Sequence, residues 1–336
     1  MRLATAALLA CASLFGQDVV SVRAGLLHYL EGEVMLDGKP VADTPRQKLF
    51  SRFDEVKEQS VLATREGRVE LLLAPGVVLR LGEDSSIRML SNKLTATRLE
   101  LSSGRAVLTV DDLLKDASPV LLVRDAAIRP LRTGVYAVSA AEPAELMVYD
   151  GQAEVSAGGA KKTVKRGVAQ SLDQPELARK FDVETGDALL RWARRRAGYL
   201  AMANVSAAKS AVDAGYDLTS SLWRWNPYFG MFTYLPYRGA ACNSFFGYCY
   251  YSPQRIYAAI YQPAPVFGGG STGGFGGPRY GYNPDLGYTT SSQRTYADYS
   301  PPAAASPAPA VSGPAPSPRS SEGAVGRGGE GGGRSQ

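Results

Sequence analysis

The sequence predicts a mainly β fold, because three patterns coincide between Val19 and Leu172. Short apolar runs are separated by turn residues at intervals of about eight to twelve. Within the runs apolar side chains recur with a period of two, as in Val69, Leu71 and Leu73. Helix signals are nearly absent. We therefore expect residues 18–172 to form stacked short strands with a β-solenoid or sandwich-like arrangement.

The individual elements follow from apolar alternation and turn residues. A turn at Asp37–Lys39 follows the first apolar run, and Ala74–Gly76 is expected to reverse the chain between two strands. Leu72 and Val78 point away from the alternating apolar set, which predicts that these two strands are covered on both faces. Asp150–Gly151 is a hairpin signal.

In residues 173–216 the apolar residues no longer recur with a period of two. This stretch is rich in Ala, Leu and Arg and is predicted to form one or two helices. Pro175 suits a helix start. An amphipathic helix would bury one face and expose the arginines opposite. The expected buried residues are Leu189, Trp192, Tyr199 and Ala203, and the expected exposed ones are Arg191, Arg194 and Arg195. An anionic partner or membrane surface is the alternative use of these arginines.

An aromatic-rich segment, residues 217–267, follows without a regular period. Its aromatic side chains either pack on the β unit or present a surface to a sugar or another protein. The candidates for such a surface are Trp223, Trp225, Tyr228 and Tyr234. Cys242 and Cys249 lie in the same segment, and in an oxidising compartment they are expected to form a disulfide.

Both ends of the chain differ from the middle. Residues 1–17 combine Arg2, a short apolar run and small residues, which predicts a signal peptide and export to the periplasm or cell envelope. A lipoprotein signal with acylation at Cys11 is the alternative. The apolar run is too short to span a bilayer, so no transmembrane span is expected in the mature chain. The Gly- and Pro-rich residues 268–336 predict a disordered tail.

Candidate catalytic and metal-ligating residues are scarce. The chain has a single histidine, His28, and no CxxC, HExxH or phosphate-loop motif. A GxSxG spacing at residues 269–273 lies among linker glycines that follow no predicted strand and open no predicted helix. The acidic neighbours Glu83–Asp84, Asp111–Asp112 and Asp54–Glu55 are expected to serve turns. A net charge of +5 with interspersed signs does not predict nucleic-acid binding. We expect no enzyme activity, no metal and no cofactor, unless His28 lies in a polar cleft with an acidic partner.

Four blocks of residues 18–172 carry a resemblance to the FecR domain family. They are "GEVMLDGKPV", "SVLATREGRVELLLAPGVVLRLGEDSSIRM", "LELSSGRAVLTV" and "LRTGVYAVSAAEPAELMVYDGQAEVSAGGAKKTVKRGVAQSL". Gly67, Gly76, Gly104 and Gly134 stand where the family punctuates its strands, whereas Thr133–Gly134 reverses the usual order. The resemblance implies stacked strands and no catalytic residues. It is to the exported FecR-domain proteins and not to the anti-sigma type of regulator.

These observations predict a non-enzymatic envelope or periplasmic protein in which the FecR-like module mediates protein–protein interaction or signalling. Its partner would be another envelope protein, bound at a strand edge or through the aromatic segment. The alternative is a surface protein that binds cell-wall polysaccharide through its aromatic segment.

Overall fold

The computed structural model describes residues 19–20, 23–41, 54–113, 118–215 and 218–261. The expected signal peptide, residues 1–17, and the expected tail, residues 268–336, lie outside the described residues, as does Cys11. The described part is mainly β, as the sequence predicts.

The strands follow the chain in this order: β1 Val19–Val20, β2 Leu26–Leu36, β3 Lys39–Pro40, β4 Val61–Leu72, β5 Val77–Leu81, β6 Ser86–Ser91, β7 Arg98–Ser103, β8 Arg105–Val110, β9 Val120–Val123, β10 Ala126–Pro130, β11 Gly134–Ser139, β12 Glu145–Asp150, β13 Gln152–Ala157, β14 Ala160–Lys165, β15 Val168–Ser171, β16 Ala178–Lys180, β17 Leu222–Asn226, β18 Met231–Leu235, β19 Ala240–Asn243 and β20 Tyr248–Tyr251. The helices are α1 Ala188–Asp213 and α2 Pro253–Tyr261.

One large sheet contains β2 to β16 and is folded into two layers. The first layer has the order β14-β13-β10-β9-β7-β6, and the second has the order β5-β8-β11-β12-β15-β16. The long strand β4 joins them, because Val61–Ala63 pair with β6 whereas Val69–Leu72 pair with β5. The expected sandwich-like arrangement is therefore confirmed.

The main core fills the space between the two layers. One buried cluster contains side chains from both layers. The joining strand β4 contributes Leu71, the second layer contributes Leu79 and Leu108, and the first layer contributes Leu101 and Ile128. The period of two in the sequence selects these side chains, since alternate residues of a strand point to one face. Burying them supplies most of the stabilisation of the β unit.

The prediction of a hairpin at Asp150–Gly151 is wrong. The strands on either side, β12 and β13, pair in different layers and not with each other. Gly151 has a φ of +89°, and a Cβ atom there would lie 2.4 Å from the Tyr136 hydroxyl oxygen. The residue type correctly indicates a sharp turn, but this turn carries the chain from one layer to the other. The reversal expected at Ala74–Gly76 is a true hairpin between β4 and β5.

A third layer covers the outer face of the second. It consists of α1, the hairpin β17–β18 and the hairpin β19–β20. Leu72 and Val78 are buried in one cluster with Leu200 of α1 and Trp223 of β17. The prediction that these strands are covered on both faces is therefore confirmed.

Helix α1 begins later than Pro175. Asp187 caps it, accepting a hydrogen bond from the Leu190 N–H at 2.7 Å, and β16 occupies part of the stretch before it. Leu189, Trp192 and Ala203 are buried, as expected. Tyr199 was expected on the buried face but is exposed, because its position falls on the stripe shared with Arg191 and Arg195. Within the described ranges no helix is both long and apolar enough to cross a bilayer.

Candidate functional site

A buried ionic cluster lies between the second layer and α1. The Glu70 carboxylate accepts hydrogen bonds from Arg80 Nε at 2.7 Å, from Arg196 Nη2 at 2.9 Å and from His28 Nδ1 at 2.8 Å. Arg80 also donates to Thr109 Oγ1 at 2.9 Å. Two cations and one anion thus share a site closed to solvent.

Strand alternation puts these charges on the face opposite the core. Glu70 lies between the core residues Val69 and Leu71, and it pairs in register with Arg80 on β5. Arg196 reaches the same point from α1, and its guanidinium lies 3.8 Å from the centre of the Tyr29 ring. The cluster therefore docks the helix on the sheet.

His28 is held on both ring nitrogens. Nδ1 donates to Glu70, while Nε2 accepts the Phe232 backbone N–H at 3.0 Å. This arrangement requires the neutral ring, because Nε2 must keep its lone pair. Burial lowers the pKa of His28 despite the hydrogen bond to Glu70. His28 does have an acidic partner, but its side chain is 1% exposed and does not open onto a cleft.

The charge on Glu70 is maintained by its neighbours. Burial by itself raises the pKa of a carboxyl group, but Arg80, Arg196 and His28 together lower the pKa of Glu70 far below its usual range. The cluster is therefore ionised at neutral pH. Its interactions hold four elements together, β2, β4, β5 and α1, and each oxygen of the carboxylate is already engaged by the protein.

Asp111 forms a second buried site at the end of β8. Its carboxylate accepts hydrogen bonds from Asn243 Nδ2 and the Tyr248 hydroxyl, both at 2.9 Å. Burial raises the pKa of Asp111 to about 6, although both hydrogen bonds act in the opposite direction. Asp111 thereby anchors the hairpin β19–β20 to the sheet.

The neighbouring Asp112 anchors the other hairpin. The Tyr234 hydroxyl donates to Asp112 Oδ2 at 2.5 Å, and the Ser221 hydroxyl donates to the same oxygen at 3.3 Å. Burial and the bond to Asp112 raise the pKa of Tyr234, so the phenol stays protonated. The acidic pair Asp111–Asp112 was expected to serve a turn. It instead tethers two separate parts of the aromatic segment.

The four candidate aromatic residues do not form one surface. Trp223 is 1% exposed and Tyr234 is 0% exposed, and they pack edge to face in the third layer. Trp225 is half-buried against Phe232, with ring centres 5.2 Å apart. Tyr228 is 88% exposed. Burial of large aromatic area explains why Trp223 and Tyr234 are unsuited to stacking on a sugar.

An exposed apolar face runs along α1. We define the α1 outer face as Tyr199, Met202 and Val205 of the helix with Tyr228 and Phe229 of the β17–β18 turn. The turn is fixed beside the helix by Asn226, which donates to the Ala203 carbonyl at 2.8 Å and accepts from the Tyr228 N–H at 3.0 Å. Arg191, Arg194 and Arg195 are exposed at the N-terminal end of this face.

Cys242 and Cys249 are joined by a disulfide across the hairpin β19–β20, where they are register partners. The bond closes the hairpin that carries Asn243 and Tyr248 to Asp111. It therefore stabilises the element that the second buried site anchors.

Sequence reasoning missed Glu70, Arg80 and Arg196. The sequence contains one signal for two of them: Glu70 and Arg80 each interrupt an apolar run, which indicates a charged residue within a buried strand. Among the described residues no group of three or more His, Cys, Asp and Glu side chains is placed to hold a metal ion. At the acidic corner Glu83–Ser86, the Ser85 hydroxyl accepts the Arg105 N–H at 2.9 Å and so serves the turn.

Comparisons with known proteins show only weak structural similarity. No family model and no curated protein matches the chain. Two solved structures, each described as a candidate anti-sigma factor from Parabacteroides distasonis ATCC 8503, are similar to part of it, with TM-scores of 0.32 and 0.31 and identities of 15% and 13%. The alignments cover 37% and 39% of this chain and 61% and 63% of those chains, which is less than two thirds of either. Likeness at this level carries no information on what this chain does.

Proposed function

We propose that this chain is a non-enzymatic, exported envelope or periplasmic protein that binds another envelope protein, for interaction or signalling, through the α1 outer face, which the FecR-like module supports from behind. The observation that carries the proposal is the concentration of exposed apolar side chains on the third layer. Of the nine large exposed apolar residues in the described ranges, five form the α1 outer face. Isolated exposed apolar residues are ordinary, but a grouped set marks an interaction site.

The buried polar groups support the same proposal. The oxygens of Glu70 and both nitrogens of His28 are already paired with protein groups, as are the carboxylates of Asp111 and Asp112. These residues link the sheet to the third layer. They act as a scaffold that holds the α1 outer face rigid, and none of them is offered to a substrate.

Charge defines the partner further. Arg194 and Arg195 are exposed and border the α1 outer face. A protein partner with an apolar centre and acidic residues at its rim would complement this face. Aromatic and Met side chains at the centre suit the composition of protein interfaces.

Site-specific photocrosslinking tests the proposal. A benzoylphenylalanine at position 202 in the full chain is expected to form a discrete crosslinked product with an envelope protein in intact cells. The same probe at Leu131, which is exposed on the β unit, is the matched control. Met202→Glu with a probe at position 228 should abolish the product. Equal crosslinking from positions 131 and 202, or none from 202, would overturn the proposal.

Binding of cell-wall polysaccharide is the second candidate, favoured by the 88% exposure of Tyr228. An exposed ring fixed by the Asn226 turn can stack on a sugar. Tyr228→Ala should then abolish retention on purified cell-wall polysaccharide while circular dichroism stays unchanged, because the Tyr228 side chain is almost fully exposed. Unchanged retention would exclude this function and leave the protein-binding proposal intact.

A further inference from the structure

The two ends of the folded sheet approach each other without pairing. β14 pairs with β13 and with no other strand of the described chain, so one of its edges carries unpaired backbone groups. Across from this edge lies the turn between β15 and β16. The Lys162 ammonium spans the opening and donates to the Pro175 carbonyl at 3.2 Å. We call this opening the seam.

A cavity of about 340 Å³ lies in the seam. Val155, Ala157 and Ala160 supply apolar walls, while Lys161, Lys162 and Glu176 supply charge. Small-molecule sites begin near this size. A strand that adds to a sheet edge also places alternate side chains in pockets. The cavity therefore combines an apolar floor with a strand edge that can form hydrogen bonds.

Gln170 lines the cavity with one polar atom unpaired. Its side-chain nitrogen lies 2.9, 2.9 and 2.8 Å from the carbonyl oxygens of Ser171, Pro175 and Leu177, which share its two hydrogens, and these bonds fix the orientation of the amide. Gln170 is 1% exposed, and within the described residues its Oε1 accepts no hydrogen bond. A buried acceptor without a donor destabilises the folded chain. A ligand that brings a donor would remove this destabilisation.

The seam is basic. Lys161, Lys162, Lys165 and Arg166 are exposed along β14 and the turn after it, and of these Lys161 is already paired with Glu154 at 3.4 Å. The Lys162 ammonium is held by a neutral carbonyl, and a carboxylate is the stronger acceptor for it. An arriving acidic side chain would thus take the ammonium away from Pro175 and open the way to Gln170.

We propose that the seam binds an extended acidic segment of a partner protein, which adds to β14 as a further strand and brings a donor to Gln170 Oε1. The backbone edge gives affinity, and the lysines select acidic side chains. The proposal rests on the proposed protein-binding function in one respect, that the partner is a protein. The binding surface is a different one, because the seam is distinct from the α1 outer face.

Lysines on an edge strand can have a second role, which is to prevent other chains from pairing with that edge. The two roles predict opposite results. If Lys162 only protects the edge, removing its charge increases strand binding of any composition. If it selects an acidic segment, the same change weakens binding of acidic peptides.

A defined peptide tests the proposal with the full chain. Acetylated, fluorescein-labelled Glu-Val-Glu-Val-Glu-Val is titrated by fluorescence anisotropy, and amide hydrogen exchange is followed by mass spectrometry. We expect saturable binding that slows exchange in residues 160–165. Lys162→Glu should weaken the affinity at least about tenfold. Lys39→Glu, at an exposed lysine of the short strand β3, is the matched control and should leave affinity unchanged.

Two further peptides separate the contributions. A peptide with lysine in place of each glutamate should not bind, because its positive charges are repelled by the lysines of the seam. A peptide with proline in place of each valine should not bind, because proline lacks the N–H needed for strand pairing. Absence of saturable binding, unchanged exchange at 160–165, or full affinity in Lys162→Glu would overturn the proposal. So would dimerisation through β14, measured by analytical ultracentrifugation, because a second copy would then occupy the edge. None of these results bears on crosslinking from position 202.

Discussion

The backbone N–H of Phe232 donates to Nε2 of His28 over 3.0 Å, although the two residues are 204 positions apart. The other ring nitrogen donates to Glu70 on β4. One neutral histidine therefore connects β2, β4 and β18. The third layer is fixed to the sheet at a specific polar point as well as by apolar contact, which positions the exposed α1 outer face.

The charge of Glu70 is predicted to be essential for stability. Glu70→Gln leaves Arg80 and Arg196 buried without a counter-charge, which typically costs about 3–5 kcal/mol. Urea denaturation should show this loss in the free energy of unfolding. Glu31→Gln removes a partly exposed pair with Arg68 and should cost about 1 kcal/mol or less. Equal losses in the two variants would contradict a structural role for the buried cluster.

Asp111 is predicted to make stability depend on pH. Its pKa is raised to about 6 in the folded chain, so the folded state binds more protons than the unfolded state between about pH 4 and 6. The stabilisation by protonated Asp111 is fully present below about pH 4 and is lost as pH rises through 6, a loss of about 1–3 kcal/mol. His28 acts in the opposite direction, because its pKa is lowered.

Comparison with Asp111→Asn isolates this contribution. The variant keeps an oxygen for Asn243 and Tyr248 but does not titrate. Urea unfolding from pH 4 to 7 should show wild type losing stability relative to Asp111→Asn as pH rises. The buried Arg80 and the neighbouring Asp112 are common to both proteins. A constant difference across this range would show that Asp111 has an ordinary pKa.

Gly104 is predicted to be irreplaceable where the chain crosses between layers. It has a φ of +76°, and a Cβ atom would lie 2.2 Å from Ser85 Oγ and 2.6 Å from the Asp84 carbonyl oxygen. Gly38 has a similar φ of +73° with nothing within 4 Å. Gly38→Ala should cost about 1–2 kcal/mol from backbone strain alone. Gly104→Ala should cost at least about 3 kcal/mol by thermal unfolding. Similar losses would mean that the corner has room to relax.

Alternation in the sequence was enough to predict the two-faced burial of Leu72 and Val78, because the period of two assigns faces within a strand. It could not assign partners between strands, so Asp150–Gly151 was mistaken for a hairpin. The pairing of Glu70 with Arg196 depends on where α1 packs, 126 positions away, and no local pattern contains that information. Aromatic composition alone likewise could not separate the buried Trp223 from the exposed Tyr228.

The disulfide is predicted to hold the hairpin β19–β20 against Asp111. Replacing Cys242 and Cys249 with serine should lower the free energy of unfolding by about 2–3 kcal/mol, because the unfolded chain is no longer constrained by a short loop. Since the hairpin carries Asn243 and Tyr248, loosening it admits water to Asp111, and the pKa of that carboxyl should fall toward its ordinary value. Urea denaturation and a carboxyl titration by nuclear magnetic resonance measure the two effects. Ser244→Ala, in the same hairpin turn, removes one exposed hydrogen bond to Asp150 at 3.3 Å and is the control. It should lower the free energy of unfolding by less than about 1 kcal/mol and leave the pKa of Asp111 unchanged. An unaltered pKa in the serine variant would show that the hairpin holds its position on Asp111 without the disulfide.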